Sequence, residues 1–210
     1  MGKKIALALL VMGVLAVPEA WAQKFEFAPF AGFRTGGSFN AESFEPTKIT
    51  VDSGVAYGFV AGFGLNEAWQ IEFVWSRTET EMAERPPDFG SPAVKLFDAN
   101  VDMYHVNMLW QYGAAADRFR PFAFGGLGAT QFRPEEDFSG ETRFSLDFGA
   151  GVKFFFSDNF GIRFQGRFIP TLIKAESEIY CRPYRPCYRV YDDEFLLQGE
   201  FTFAIVLRIL

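Results

Sequence analysis

From Phe144 to Phe168 hydrophobic and polar positions alternate with a period of two. Phe144, Leu146, Phe148, Ala150, Val152, Phe154 and Phe156 share one parity, and Ser145, Asp147, Gly149, Gly151 and Lys153 share the other. After Ser157-Asp158-Asn159 the pattern returns: Phe160, Ile162, Phe164, Gly166 and Phe168 oppose Arg163, Gln165 and Arg167. Alternation of this length predicts two β-strands joined by a tight turn. One face is aromatic and the other carries Lys and Arg. The greasy face therefore meets either a protein core or lipid.

The same pattern recurs along the chain. Lys24 to Arg34 sets Phe25, Phe27, Ala31 and Phe33 against Glu26 and Arg34, with Pro29 predicting a local bulge or weak pairing. Gly54–Gly64 and Trp69–Arg77 read as strands two and three, and Asp102–Tyr112 as strand four. Phe97, Ala99 and Val101 sit in the opposite phase to Tyr104 and Val106, which predicts a bulge or a strand start near Val101. Phe119–Phe132 is strand five, of ambiguous phase because Phe122 and Phe124 oppose Leu127 and Ala129. The opening hairpin supplies strands six and seven, and Phe195–Ile209 is strand eight. Long polar connections fall at about 36–52, 78–95, 133–141 and 174–193, with short ones between.

Eight strands with alternating long and short connections fit an eight-stranded antiparallel up-and-down transmembrane β-barrel, an all-β fold. A soluble barrel of this size would need a polar outer face. Residues directly opposite in a hairpin must point to the same side. A three-residue turn at Ser157-Asp158-Asn159 then sets Gly149 opposite Arg167 and Gly151 opposite Gln165. The same rule at Asn66-Glu67-Ala68 sets Gly62 opposite Glu72 and Gly64 opposite Gln70. Glycine opposite a long polar side chain is what a narrow lumen requires. Trp69, Trp110, Tyr112, Phe156 and Phe160 would form the girdle at the short-turn end, and Tyr57, Trp75 and Tyr104 the outer one.

Composition adds the compartment. Lys3 and Lys4 precede an apolar run, Ile5 to Val17, and Ala20-Trp21-Ala22 has the form of a cleavage site. That run is too short to span a bilayer as a helix, so residues 1–22 read as a signal peptide and residues 23–210 as the mature barrel domain. Removing Lys3, Lys4 and Glu19 changes the formal charge from −6 to −7, against a nucleic-acid partner. The 27 phenylalanines in 210 residues exceed what a soluble domain of this size carries.

The segments PFAGFRTGGSF at 29–39, RPFAFGGLGAT at 120–130 and DFGAGVKFFFSDNFGIRFQGRF at 147–168 resemble the bacterial outer-membrane β-barrel domain family, the small eight-stranded barrels of the OmpA, OmpX and OmpW kind. The resemblance covers essentially all of the mature chain. It implies residence in the bacterial outer membrane, contact with its lipid and lipopolysaccharide, and insertion by the barrel assembly machinery. The C-terminus, Leu207-Arg208-Ile209-Leu210, departs from the aromatic last residue usual in such barrels. The family has no single activity, so membership supplies no function.

The candidate chemistry is sparse. Glu26, Glu72, Asp147, Lys153, Arg163, Arg167 and Glu200 face inward and are expected to form a polar lumen network that plugs the barrel. The alternative is a narrow channel for small or apolar solutes. His105 is the only histidine. Outer-membrane lipid A deacylases resemble this architecture and use a His-x-Ser pair; here the run is His105-Val106-Asn107, without the serine, so a lipid-modifying enzyme is disfavoured. Cys181 and Cys187 bracket a loop and suggest a disulfide. Arg182, Tyr184 and Arg185 between them are candidates for contact with a surface ligand. No metal, cofactor or catalytic motif is present. The reading is a monomeric, non-enzymatic envelope protein with a structural or surface-interaction role.

Overall fold

The computed structural model describes residues 25–42, 46–85, 94–114, 116–134, 140–173, 178–179, 188–189 and 194–209, none of them helical. Twelve stretches of strand are present: β1 (Phe25–Arg34), β2 (Gly37–Glu42), β3 (Pro46–Val51), β4 (Gly54–Gly64), β5 (Trp69–Arg85), β6 (Val94–Gln111), β7 (Phe119–Pro134), β8 (Glu141–Phe155), β9 (Phe160–Ile173), β10 (Glu178–Ile179), β11 (Tyr188–Arg189) and β12 (Glu194–Ile209). They make eight staves. Phe25 faces Phe63 and Gly37 faces Val51 in one continuous register, so β1–β2 and β3–β4 form a single long hairpin bent near Thr35–Gly36 and Asp52–Ser53. Ile173 faces Glu194 and Ile179 faces Tyr188, so β9–β10 and β11–β12 likewise belong together. Antiparallel pairing runs β5-β4-β1-β12-β9-β8-β7-β6 and back to β5, which closes the barrel. Closure removes the sheet edges that lipid could not satisfy.

The short hairpins have the registers that parity demands. Gly149 pairs with Arg167 and Gly151 with Gln165; Gly62 pairs with Glu72 and Gly64 with Gln70. The amides of Phe156 and Ser157 both donate to the Phe160 carbonyl, 3.0 and 3.2 Å. Asn66 Oδ1 accepts from the amides of Ala68 and Trp69, both 2.9 Å. At Pro29 the β1–β12 ladder skips from Phe27–Leu207 to Phe30–Ala204 without a change of register, so pairing weakens there and no bulge forms. The cause is the missing proline amide.

Two expectations about phase are corrected. β6 has no break at Val101: its register against β5 is continuous from Trp110 to Phe97, and the irregularity lies at Met82/Ala83, where Leu96 is the extra residue. Nor is β7 ambiguous, for Phe122 and Phe124 are buried inside and Leu127 is 60% exposed outside. The apparent phase change on β6 is a change of environment. Ile49, Val51, Met82, Ala99, Val101, Met103, Phe132, Ile169, Ile173 and Leu196 fill the interior at the end with long connections, none more than 3% exposed. On the outside of that tier stand Glu79, Glu81, Lys95 and Asp98, all exposed. Lys95 reaches Glu81 at 2.8 Å and Asp98 at 2.7 Å, and these bonds hold its ammonium above the usual lysine range.

Toward the short turns the order inverts. Phe25, Phe63, Phe148, Phe164, Phe201 and Ile205 are exposed outside, while Glu26, Glu72, Asp147 and Glu200 are buried inside. The loops expected at 36–52 and 78–95 are accordingly shorter, because β2, β3 and the ends of β5 and β6 build the upper tier as a water-exposed sheet over an apolar core. An apolar exterior around a polar interior suits lipid, and the reverse suits water.

A charge placed on the lipid tier is expected to be costly and one on the upper tier harmless. Phe201→Arg should lower unfolding stability in lipid vesicles by about 2–4 kcal/mol. Glu81→Arg, on the same outer side of the upper tier, should change it by no more than about 0.5 kcal/mol. Equal effects would contradict the two-tier arrangement.

Candidate functional site

The lumen of the lipid tier holds the charged residues, and strand parity puts them there. Glu26 comes from β1, Glu72 from β5, Asp147 and Lys153 from β8, Arg163 and Arg167 from β9, and Glu200 from β12. None is more than 6% exposed. The structure brings all seven into connected layers.

In the layer nearest the upper tier, Glu200 accepts from Arg34 Nε and Arg167 Nε, each at 2.8 Å. Arg167 also donates to Asp147 at 3.0 Å and to Ser76 Oγ at 2.7 Å, and Arg34 donates to the same hydroxyl. In the middle, Arg163 grips Glu72 with both terminal nitrogens, NH2 at 2.9 Å, and gives Nε to Gln165 at 2.8 Å. Toward the short turns Lys153 bonds Glu26 at 2.6 Å and Gln70 at 2.7 Å, while Arg208 reaches Glu26 from the other side at 2.8 Å. Lys153 lies 3.9 Å from Glu72, which joins the lower layers.

Sequence reasoning missed several members. Arg34 and Arg208 were legible as polar-face residues, but the acids they serve are on other strands. Phe122, Phe124 and Phe155 also lie inside. Among the described residues the lumen holds four carboxylates, Glu26, Glu72, Asp147 and Glu200, and six cations, Arg34, Arg120, Lys153, Arg163, Arg167 and Arg208. Aromatic faces lie against three of these cations. Arg163 lies 4.4 Å from the Phe122 centroid, and Arg208 and Arg120 lie 3.8 and 5.0 Å from that of Phe155. The negative face of a ring stabilises a desolvated guanidinium without adding charge.

His105 does find a serine, though not in its own strand. Its Nε2 is 2.9 Å from Ser145 Oγ, across β7, because Gly128 stands between them. Asn107 crosses in the same way over Gly126 and donates to Asp147 at 2.8 Å. A Cβ on Gly126 would come within 2.1 Å of Asn107 Oδ1 and 2.2 Å of the Val106 carbonyl. Glycine is needed here for space. The Ser–His contact lacks what acyl transfer requires: among the described residues His105 Nδ1 has no hydrogen-bond partner to orient it, and both side chains are enclosed, 1% and 0% exposed. Its geometry is that of a hydrogen-bonded lumen histidine. No three His, Cys, Asp or Glu side chains among the described residues gather as metal ligands. Residues 1–22, Cys181, Cys187, Arg182, Tyr184 and Arg185 lie outside the described residues.

Removing one partner from this network should cost far more than a surface ion pair. Glu200→Gln leaves Arg34 and Arg167 without their shared carboxylate and should destabilise the barrel by about 3–5 kcal/mol in urea unfolding from vesicles. Gly126→Ala should cost about 1–3 kcal/mol by forcing both the Asn107 side chain and the β6 backbone at Val106 away. Wild-type stability for both would show that the layers carry no weight.

The geometry agrees with what comparison finds. A search of curated protein sequences gives no match. Among solved structures, the outer membrane protein OprG from Pseudomonas aeruginosa superposes with a TM-score of 0.63 at 14% identity, over 89% of this chain and 96% of that one. Neisserial surface protein A superposes with a TM-score of 0.56 at 13% identity, over 89% and 97%. At such identities the likeness concerns the fold alone. The family model described as "Outer membrane protein beta-barrel domain" matches residues 7–177. The chain therefore belongs to the outer membrane protein β-barrel domain family and is a protein of the bacterial outer membrane.

Proposed function

We propose that this protein is a non-enzymatic outer-membrane scaffold with a closed lumen, whose specific contacts are made at its extracellular end. The observation that carries the reading is the succession of ion-paired layers, Arg34–Glu200–Arg167, Arg163–Glu72 and Lys153–Glu26–Arg208, each member nearly fully buried. A solute path through these layers would have to separate ion pairs in a space too narrow to hydrate them. Beyond the stack, the described interior is packed mainly with the apolar side chains of the upper core. The signal peptide at 1–22, insertion by the barrel assembly machinery, a monomeric state and a Cys181–Cys187 staple that presents Arg182, Tyr184 and Arg185 to a surface ligand belong to the same proposal.

Planar-bilayer recording tests it. The wild-type protein should show no stable unitary openings, and Arg167→Ala should introduce small ones by removing the side chain that ties Glu200, Asp147 and Ser76 together. Stable openings in the wild type that Arg167→Ala abolishes would establish the channel instead.

A further inference from the structure

The upper rim of the apolar belt is oblique. On β12 every outward position from Phe195 to Ile209 is apolar or glycine, and on β9 the same holds from Phe160 to Leu172. Phe195 and Leu197 are about half exposed. On β5 the outward apolar run is only Trp69 to Trp75, and Arg77, Glu79 and Glu81 continue the same side. On β6 it ends at Tyr104, above which Asp102 is buried beneath Arg77 at 2.8 Å and Arg133 at 3.4 Å. A tilted strand spans a bilayer in about 9–11 residues, so β9 and β12 carry more apolar length than needed and β5 too little. Pairing round the barrel sets β9 opposite β5 and β12 opposite β6. The tall and short faces are opposite sides of one tube.

The lumen supplies a common level. Ser76 of β5, Arg167 of β9 and Glu200 of β12 meet in one layer. Next above it β5 turns charged at Arg77, whereas β9 goes on through Phe168, Pro170 and Leu172, and β12 through Gly199, Leu197 and Phe195. From Trp75 to Leu197 the rim climbs about four residues, roughly 9 Å for strands rising ~3.3 Å per residue at ~45°. The lower rim does not slope. Gln70, Lys153, Glu26 and Arg208 share the last layer, and Trp69, Phe154, Phe25 and Ile209 each stand one residue below it. A rigid tilt would displace both rims alike. The belt is a wedge.

A flat outer surface would either put Arg77 and Asp102 in hydrocarbon or leave Leu197 and Phe195 in water. A bilayer answers such a mismatch by changing its thickness locally, at modest cost, whereas a charge in hydrocarbon is far more costly. We propose that the outer leaflet thins beside β5 and β6 and keeps its full height against β9 and β12, so that the membrane surface follows the sloping rim. The partner of this uneven belt is the bilayer itself, which the barrel deforms on one side. The assignment rests on the two-tier arrangement and is independent of whether the lumen conducts.

The test is depth-dependent quenching of single tryptophans in the full chain, folded in phosphatidylcholine vesicles doped with lipids brominated at successive acyl positions. With Trp21, Trp69 and Trp110 replaced by phenylalanine, Trp75 reports the short face. Replacing Trp75 as well and adding Leu197→Trp reports the tall one. Phe195→Trp, at the next outward position, serves if heat-modifiable gel mobility shows that Leu197→Trp does not fold. Both faces should be quenched most by the same shallow label, close to the glycerol. A flat surface would instead set Trp75 about 9 Å nearer the bilayer centre than position 197. Trp69 alone and Ile209→Trp report the lower rim and should also agree in depth. A tilted barrel would equalise the upper pair and separate the lower one. Unequal depths in either pair would overturn the assignment.

Discussion

The structure depends on neutralising charge inside a tube too narrow for bulk water. Moving an ionised group out of water costs several kcal/mol even after relaxation, and only a well-placed partner offsets it. Here Glu200 is shared by Arg34 and Arg167, Glu26 by Lys153 and Arg208, and Glu72 is gripped by Arg163. The partners of each pair come from different strands, so the network forms only when β1, β5, β8, β9 and β12 have their native registers. A slip by one residue would turn these charges toward lipid and the phenylalanines inward. The network thus specifies the barrel as well as filling it.

Space is the companion constraint. Eight strands enclose an interior only just wide enough for side chains. Arg167 lies opposite Gly149, Gln165 opposite Gly151 and Glu72 opposite Gly62, while Gly126 and Gly128 let Asn107 and His105 reach across β7. Phe122 and Phe155 add ring faces beside the counter-ions of Arg163 and Arg208. Above the lipid tier the same strands continue with inside and outside exchanged, because water now surrounds them. Ile49 and Val51 then cover the top of the interior as ordinary core residues.

Much of this was legible in the residues. Parity alone placed Glu72 opposite Gly62 and Arg167 opposite Gly149, since a three-residue turn leaves no other register. Alternation failed at Val101 and at Phe122 for one physical reason: hydrophobic does not mean outward once a strand leaves the bilayer or lends a ring to a guanidinium. The register runs on through Val101, which points inward into the upper core, so no bulge is needed to explain its phase. The partner of His105 was hidden because Ser145 is 40 residues away and two strands distant. Only the glycine at 128, read together with the β6–β7–β8 registers, would have pointed to it. Arg133 looked like a loop residue because Pro134 follows it, whereas β7 continues through both.

The central claim is that lumen ion pairs hold the barrel by mutual neutralisation. A double-mutant cycle on Arg163 and Glu72, read by equilibrium unfolding in lipid vesicles, tests it most directly. Arg163→Met and Glu72→Leu should each cost about 3–5 kcal/mol, since each leaves a buried charge uncompensated. The double variant should lose far less than their sum, with a coupling energy above about 2 kcal/mol. Additive losses, with coupling near zero, would contradict the account.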